Sequence, residues 1–268
     1  VPNNFNDYQP DVEILEQGTW CNVPRPDMIR TDGVTYDNYA RLFYEAQKWA
    51  FGETSNYYAV DPFHEGGKRP QDLSDDVIAK EVLNSLLEYD KDAVWMVQAW
   101  WSNPTNELLK GMGDAREDHV MILDLNGLND VYASYWDKTE YMGTKLDSTE
   151  FNETSWVWCM LENYGGNPSM DGRPQEIINR INHAYTNAKH MKGIGFISEA
   201  TYDNPMIYEL LLDMAWTTEK IDLDSWLDDY VVRRYGTNSH NARDAWNILL
   251  NSVYRRSGNT TQVIATSS

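Results

Sequence analysis

Asn56-Tyr57-Tyr58-Ala59-Val60-Asp61-Pro62-Phe63-His64-Glu65-Gly66-Gly67-Lys68-Arg69-Pro70 is the stretch from which the fold is read. Tyr57 to Asp61 is a short β-prone run. Pro62 stops it, and the two glycines let the backbone turn sharply. Glu65 therefore falls just past the C-terminal end of a strand, inside a loop, where parallel-sheet enzymes carry their reacting groups. Gly193-Ile194-Gly195-Phe196-Ile197-Ser198-Glu199-Ala200 repeats the design, a buried-type strand ending on a carboxylate. Two glutamates at two strand ends fit glycoside hydrolysis, in which one carboxyl protonates the leaving oxygen and the other attacks the anomeric carbon. The same placement also suits a carboxylate that only caps a loop.

Between these two stretches, Ala93–Gln98, Val120–Asp124 and Ser155–Leu161 are continuous apolar runs of the kind buried on both faces. Helical spacing fills the gaps. Tyr36, Tyr39, Phe43, Ala46 and Ala50 share one face, and Ile78, Val82 and Leu86 share another behind a Ser74 cap. A short helix is expected over Thr105–Met112. A longer one runs from Pro174 through Ile177, Ile181 and Ala184, with Gly193 as its stop. Residues from about 127 to 154 form a polar insert with Tyr132, Tyr135, Trp136 and Tyr141, which suits either a lid or wall over the strand ends or a merely structural excursion.

The alternation predicts an α/β fold: a partial (β/α) TIM-type barrel of about five parallel strands, followed by an all-α region. Five strands are fewer than a barrel's eight, so earlier strands of the same catalytic domain are expected before Val1. Residues 1–203 are then the C-terminal portion of a (β/α)8 catalytic barrel, and 204–268 the start of a helical domain. In that region helices are expected over Met206–Trp216, from an Asp224 cap to Gly236, and from about Asn241 through Val253 to Gly258.

Lys and Arg number 22 against 42 Asp and Glu, a formal net charge of −20. A chain so acidic is a poor partner for nucleic acid or an anionic membrane. No run of 18 apolar residues is present, so no membrane-spanning helix is expected. The 11 Trp and 17 Tyr suit sugar rings, whose C–H faces stack on aromatic side chains. Cys21 and Cys159 both lie in apolar or aromatic surroundings, which predicts two buried thiols rather than a disulfide, and they cannot build a metal cluster. His64-Glu65 prompts a zinc-hydrolase reading, but the second histidine that motif needs is replaced by Lys68, so no metal and no cofactor are expected. A binding protein that has lost catalysis is the other alternative, and the presence of both glutamates argues against it.

Four segments carry a family resemblance: Gly18-Thr19-Trp20, Asp61-Pro62-Phe63-His64-Glu65, Ala93 to Trp100, and Trp158-Cys159-Met160-Leu161-Glu162-Asn163-Tyr164-Gly165-Gly166-Asn167. Together they resemble the α-N-acetylglucosaminidases of glycoside hydrolase family 89, and Arg233 to Gly236 and Ser252 to Tyr254 look like that family's C-terminal helices. The resemblance implies a retaining exo-glycosidase acting on terminal α-linked N-acetylglucosamine of a mucin-type or heparan-type glycan. Glu65 would be the acid/base and Glu199 the nucleophile. Gln98, Trp100, Trp158, Leu161, Asn163, Tyr164 and His64 are the expected substrate-side residues, the amides for hydroxyls and acetamide, the aromatics for stacking. The expected setting is extracellular or at the cell surface, with the lysosome as the alternative.

The chemistry demands two carboxylates. In an α-linked N-acetylglucosaminide the acetamide at C2 is cis to the leaving group and cannot attack C1 from behind. The enzyme must supply the nucleophile itself.

Overall fold

The computed structural model describes residues 1–2, 4–63, 65–128, 134–161, 172–199, 204–217 and 219–255. Five strands form one sheet, in sequence order across it: β1 (Tyr57–Ala59), β2 (Val94–Ala99), β3 (Val120–Asp124), β4 (Trp156–Leu161) and β5 (Met191–Ile197). β1 pairs with β2 and β4 with β5 in parallel. Sequential parallel neighbours separated by helices are the repeating pattern of a (β/α) barrel. The chain divides into two compact units, residues 1–122 with 139–155, and 123–138 with 156–268.

In the first unit, α2 (Asp75–Tyr89) follows its expected face. Helix α1 (Val34–Phe51) forms where expected but on another face: Phe43, Ala46 and Ala50 are exposed, and the one buried residue is Tyr44, whose ring stacks on Tyr89 of α2 at 4.7 Å. Ile78, Ala79, Val82, Leu83 and Leu86 of α2 are buried. Along β2, Trp95, Val97 and Ala99 are fully buried, while Val94, Met96 and Gln98 on the other face are half-exposed, the alternation of a strand with two different surroundings. Ser74 stands at the N-cap of α2 without a side-chain cap bond. The next residue, Asp75, ties the start of the helix to its neighbours, its carboxylate accepting from Arg69 Nε at 2.8 Å and from the Thr105 hydroxyl at 2.7 Å. Thr105 in turn caps α3 (Asn106–Gly111), accepting from the Leu108 N–H at 3.1 Å.

In the second unit, β4 is buried on both faces, as expected of a central strand. Trp156 stacks on Trp136, their rings 5.2 Å apart and 10° from parallel. Helix α4 (Pro174–Asn187) buries Ile177, Ile178, Ile181 and Ala184. It ends at Ala188, not at Gly193, because β5 has already begun at Met191. After Ile197 the regular elements among the described residues are helices: α5 (Pro205–Met214), α6 (Leu223–Tyr235) and α7 (His240–Leu250), then a 3-10 turn at Val253–Arg255. The cap of α6 is Asp222 rather than Asp224. Its carboxylate accepts from the Ser225 N–H at 2.9 Å, and Gly236 closes the helix in the left-handed conformation.

Two expectations need correction. Cys21 is exposed in a two-residue-strand turn, and only Cys159 is buried, where loss of solvent pushes its thiol up. The 127–154 insert is no aromatic wall in its described part: Tyr135, Trp136 and Tyr141 are all buried, and the Tyr141 hydroxyl donates to the Pro104 carbonyl at 2.7 Å.

Candidate active site

The first unit builds the site around Glu65. Strand β1 continues by one main-chain bond beyond Ala59, from Val60 N–H to Met96 O at 3.4 Å. Asp61 then substitutes a side chain for the ladder: its Oδ1 accepts the Gln98 N–H at 2.8 Å. Pro62, with no N–H to offer, turns the chain off the sheet. Phe63 and Glu65 take left-handed backbone conformations, φ 59° and 49°. Such conformations in non-glycine residues cost on the order of 1 kcal/mol or more and persist where the surroundings fix them.

The fixing groups are identifiable. Arg25 Nη2 donates to the Glu65 carbonyl at 2.6 Å. Buried Gln17 clamps the loop's exit, accepting the Lys68 N–H at 2.9 Å and donating to the Lys68 carbonyl at 3.1 Å. Gly67 is required here, because an added Cβ would stand 2.7 Å from Phe63 Cα and 2.9 Å from Gln17 Oε1. Arg69 lies over the Phe63 ring, 5.6 Å from its centre. Arg30 makes a two-pronged pair with Asp32 and reaches Asp72 at 3.0 Å, anchoring the N-terminal segment to the chain beyond the loop. The carboxylate itself is half-buried, and its Oε1 accepts the indole N–H of Trp100 at 2.7 Å.

Unit one thus brings together Glu65, Trp100 and Gln98 of the expected residues. Gln98 is on the half-exposed face of β2, and Trp100 follows the strand's end, half-buried. Sequence reading missed three supports: Gln17, Arg25 and Asp61. The signal for Asp61 was visible, an aspartate before a strand-ending proline. Gln17 and Arg25 lie in loop sequence with no periodicity to single them out.

The second unit carries Glu199, Leu161 and Trp158. Glu199 is exposed, two residues past Ile197, the register partner of Leu161. Leu161 closes β4 and is buried. Trp158 requires a correction. It sits in mid-strand on the same face as Trp156 and is fully buried, and an added Cβ at Gly127 would stand 2.5 Å from its ring. It fills the core instead of facing a sugar, because three residues separate it from the strand end. His64, Asn163 and Tyr164 lie outside the described residues.

Asp124, at the end of β3, is a further strand-end carboxylate and is fully buried. It accepts main-chain N–H groups of Asn126, Tyr135 and Trp136 at 3.1, 2.9 and 3.0 Å. Burial outweighs these donors and pushes it up to about 6.

A parallel sheet of sequential βα units, with a strand-end loop holding a carboxylate, defines a protein of the (β/α)-barrel class. The sequence model of the family described as Alpha-N-acetylglucosaminidase (NAGLU) tim-barrel domain matches residues 1–218, and that of the corresponding C-terminal domain matches 226–267. The chain belongs to the α-N-acetylglucosaminidase family. The alpha-N-acetylglucosaminidase of Homo sapiens is 25% identical over 276 residues, covering 96% of this chain and 35% of that protein. A family 89 glycoside hydrolase from Clostridium perfringens in complex with PUGNAc superposes with a TM-score of 0.81 at 37% identity, over 97% of this chain and 28% of that one. A form of the Clostridium perfringens protein with two glutamates changed to glutamine, in complex with its substrate GlcNAc-alpha-1,4-galactose, gives a TM-score of 0.83 at 36% identity with the same coverage. The chain spans about a third of the length of these relatives. No helix among the described residues is long and apolar enough to cross a membrane.

Proposed function

We propose that this chain carries the catalytic carboxylates of a retaining exo-glycosidase that removes terminal α-linked N-acetylglucosamine from glycans. The observation that carries the reading is the Glu65 loop: a carboxylate just past a strand end, on a left-handed backbone, with supports on both its main chain and its side chain. Family membership supports the substrate class, and the substrate-bound relative carries two glutamate-to-glutamine changes, as a two-glutamate mechanism requires.

Glu65 donates a proton to the glycosidic oxygen as the C1–O bond breaks, and the bond's electron pair leaves with that oxygen. Glu199 attacks C1 from the opposite face and forms a glycosyl ester. In the second half Glu65 takes a proton from water, whose oxygen bonds to C1 as the ester breaks. The cis acetamide cannot replace Glu199 in this role. Gln98 and Trp100 contact the sugar from unit one, Asn163, Tyr164 and His64 complete the substrate side, and Leu161 contributes apolar surface. The acidic composition and the glycan substrate support a setting outside the cell or at its surface, with the lysosome as the alternative compartment.

Proton NMR of hydrolysis, with the protein as its cell makes it, tests the mechanism. The α-anomer of N-acetylglucosamine should appear first, before mutarotation mixes the signals. Initial β-anomer would mean inversion and remove Glu199 as nucleophile.

A further inference from the structure

We propose that Trp100 is a positioning residue for Glu65: its indole N–H fixes which carboxylate oxygen carries the catalytic proton. The inference rests on the reading of Glu65 as acid/base. An indole nitrogen donates and never accepts. At 2.7 Å from Oε1, Trp100 Nε1 forms a bond at the short end of the charge-assisted range. In the protonated carboxyl the carbonyl-type oxygen is the better acceptor, so the indole holds Oε1 in that role and assigns the proton to Oε2. Oε2 has no partner among the described residues.

The donor is itself fixed. Trp100 follows fully buried Ala99, its carbonyl accepts the Asn103 N–H at 3.1 Å, and Trp101 turns the chain through a left-handed conformation, φ 54°. Arg25 holds the main chain of Glu65 while Trp100 holds its side-chain end. Backbone and carboxylate are therefore both pinned, and rotation that would exchange the two oxygens breaks the indole bond. Oε2 gives its proton to the glycosidic oxygen in the first half-reaction and takes one from water in the second. The same oxygen then serves both steps without the carboxyl turning over.

The test uses the protein as its cell makes it, with two ring-preserving replacements: Trp100→Phe, and benzothienylalanine at position 100, which keeps the indole's shape with sulfur in place of N–H. For each, kcat/KM is measured on α-N-acetylglucosaminides with a dinitrophenol leaving group, which needs no proton, and with a sugar leaving group, which does. The expected result is a loss on the sugar glycoside about tenfold or more greater than the loss on the dinitrophenyl one, because a sugar contact that both substrates share cancels in the ratio. Glu65→Gln should show the same selectivity, more strongly. If Glu65→Gln shows none, the acid/base reading fails. If it does and the Trp100 replacements do not, only the positioning role falls. Equal losses on both glycosides in the benzothienylalanine protein would assign Trp100 to stacking or packing and overturn the proposal.

Discussion

Asp124 ends its strand wholly buried, with three main-chain N–H groups aimed at its carboxylate, whereas Glu65, six residues past Ala59, is half-buried and its carboxylate receives one indole N–H. The aspartate organises the chain around itself: it ties residues 126, 135 and 136 to the end of β3. For the glutamate the direction is reversed, since Arg25, Gln17 and Trp100 organise the loop around it. A carboxylate saturated with backbone donors has spent its lone pairs on structure. One with open lone pairs and a backbone held in an unfavoured conformation retains its chemistry for a ligand.

The largest effect expected from this contrast is catalytic. Glu65→Gln keeps the size of the side chain and an oxygen for the Trp100 N–H, but cannot release a proton. Turnover of glycans should fall by about 10²–10⁴-fold, with thermal stability nearly unchanged. A fall in melting temperature with intact kcat would put Glu65 in the same structural class as Asp124.

Asp124→Ala should do the reverse. It strands three buried N–H groups, at about 1 kcal/mol or more each, so unfolding free energy should drop by about 3 kcal/mol. Denaturant melts measure this directly, and an unchanged midpoint would break the distinction. A somewhat smaller effect is pH-dependent. Asp124 is up at about 6 in the folded protein, against about 4 in an unfolded chain. Between those values the native state holds a proton that the unfolded chain has released. Stability from this group therefore falls as pH rises from about 4 to about 6, then levels off, a total on the order of 2–3 kcal/mol. Asp124→Asn removes the titration. The stability advantage of the parent over that variant should be greatest at pH 4 and shrink by pH 7, and a constant difference would show that Asp124 does not titrate there.

The fold was legible because its signals are local and repeated. Apolar runs bounded by Pro, Gly and Asp marked all five strands, and the 3.6-residue faces of α1, α2 and α4 to α7 marked the helices between and after them. What stayed hidden depends on partners distant in sequence. Trp158 looked like a sugar wall because its motif reaches the strand end, but burial follows from strand register and from Gly127, 31 residues earlier (158 − 127). Cys21 looked buried because an aromatic precedes it, yet both sit exposed in a hairpin. The glutamate of the site could be picked out from Pro62 and Gly66-Gly67. Its supports could not, since a polar Gln17 or Arg25 becomes meaningful only once the loop is seen folded against it.

Arg25 gives the smallest and most discriminating prediction. Its guanidinium touches the carbonyl of Glu65, not the carboxylate, so it acts on the left-handed backbone that aims the side chain. Removing it leaves the Glu65 carboxyl, the proposed general acid, chemically intact but free to relax toward an ordinary backbone conformation, a matter of about 1 kcal/mol. Arg25→Ala should therefore lower kcat on sugar glycosides about three- to tenfold. Dinitrophenyl glycosides, which need no proton, should be nearly unaffected in kcat/KM. Arg25→Lys, which retains a donor but not the planar fork, should recover part of the loss. Arg25 is only half-buried, so thermal stability should move little. If Arg25→Ala instead raises KM equally for both glycosides while kcat holds, the guanidinium contacts substrate directly, and the loop is held in its left-handed turn by Gln17 and Trp100 without it.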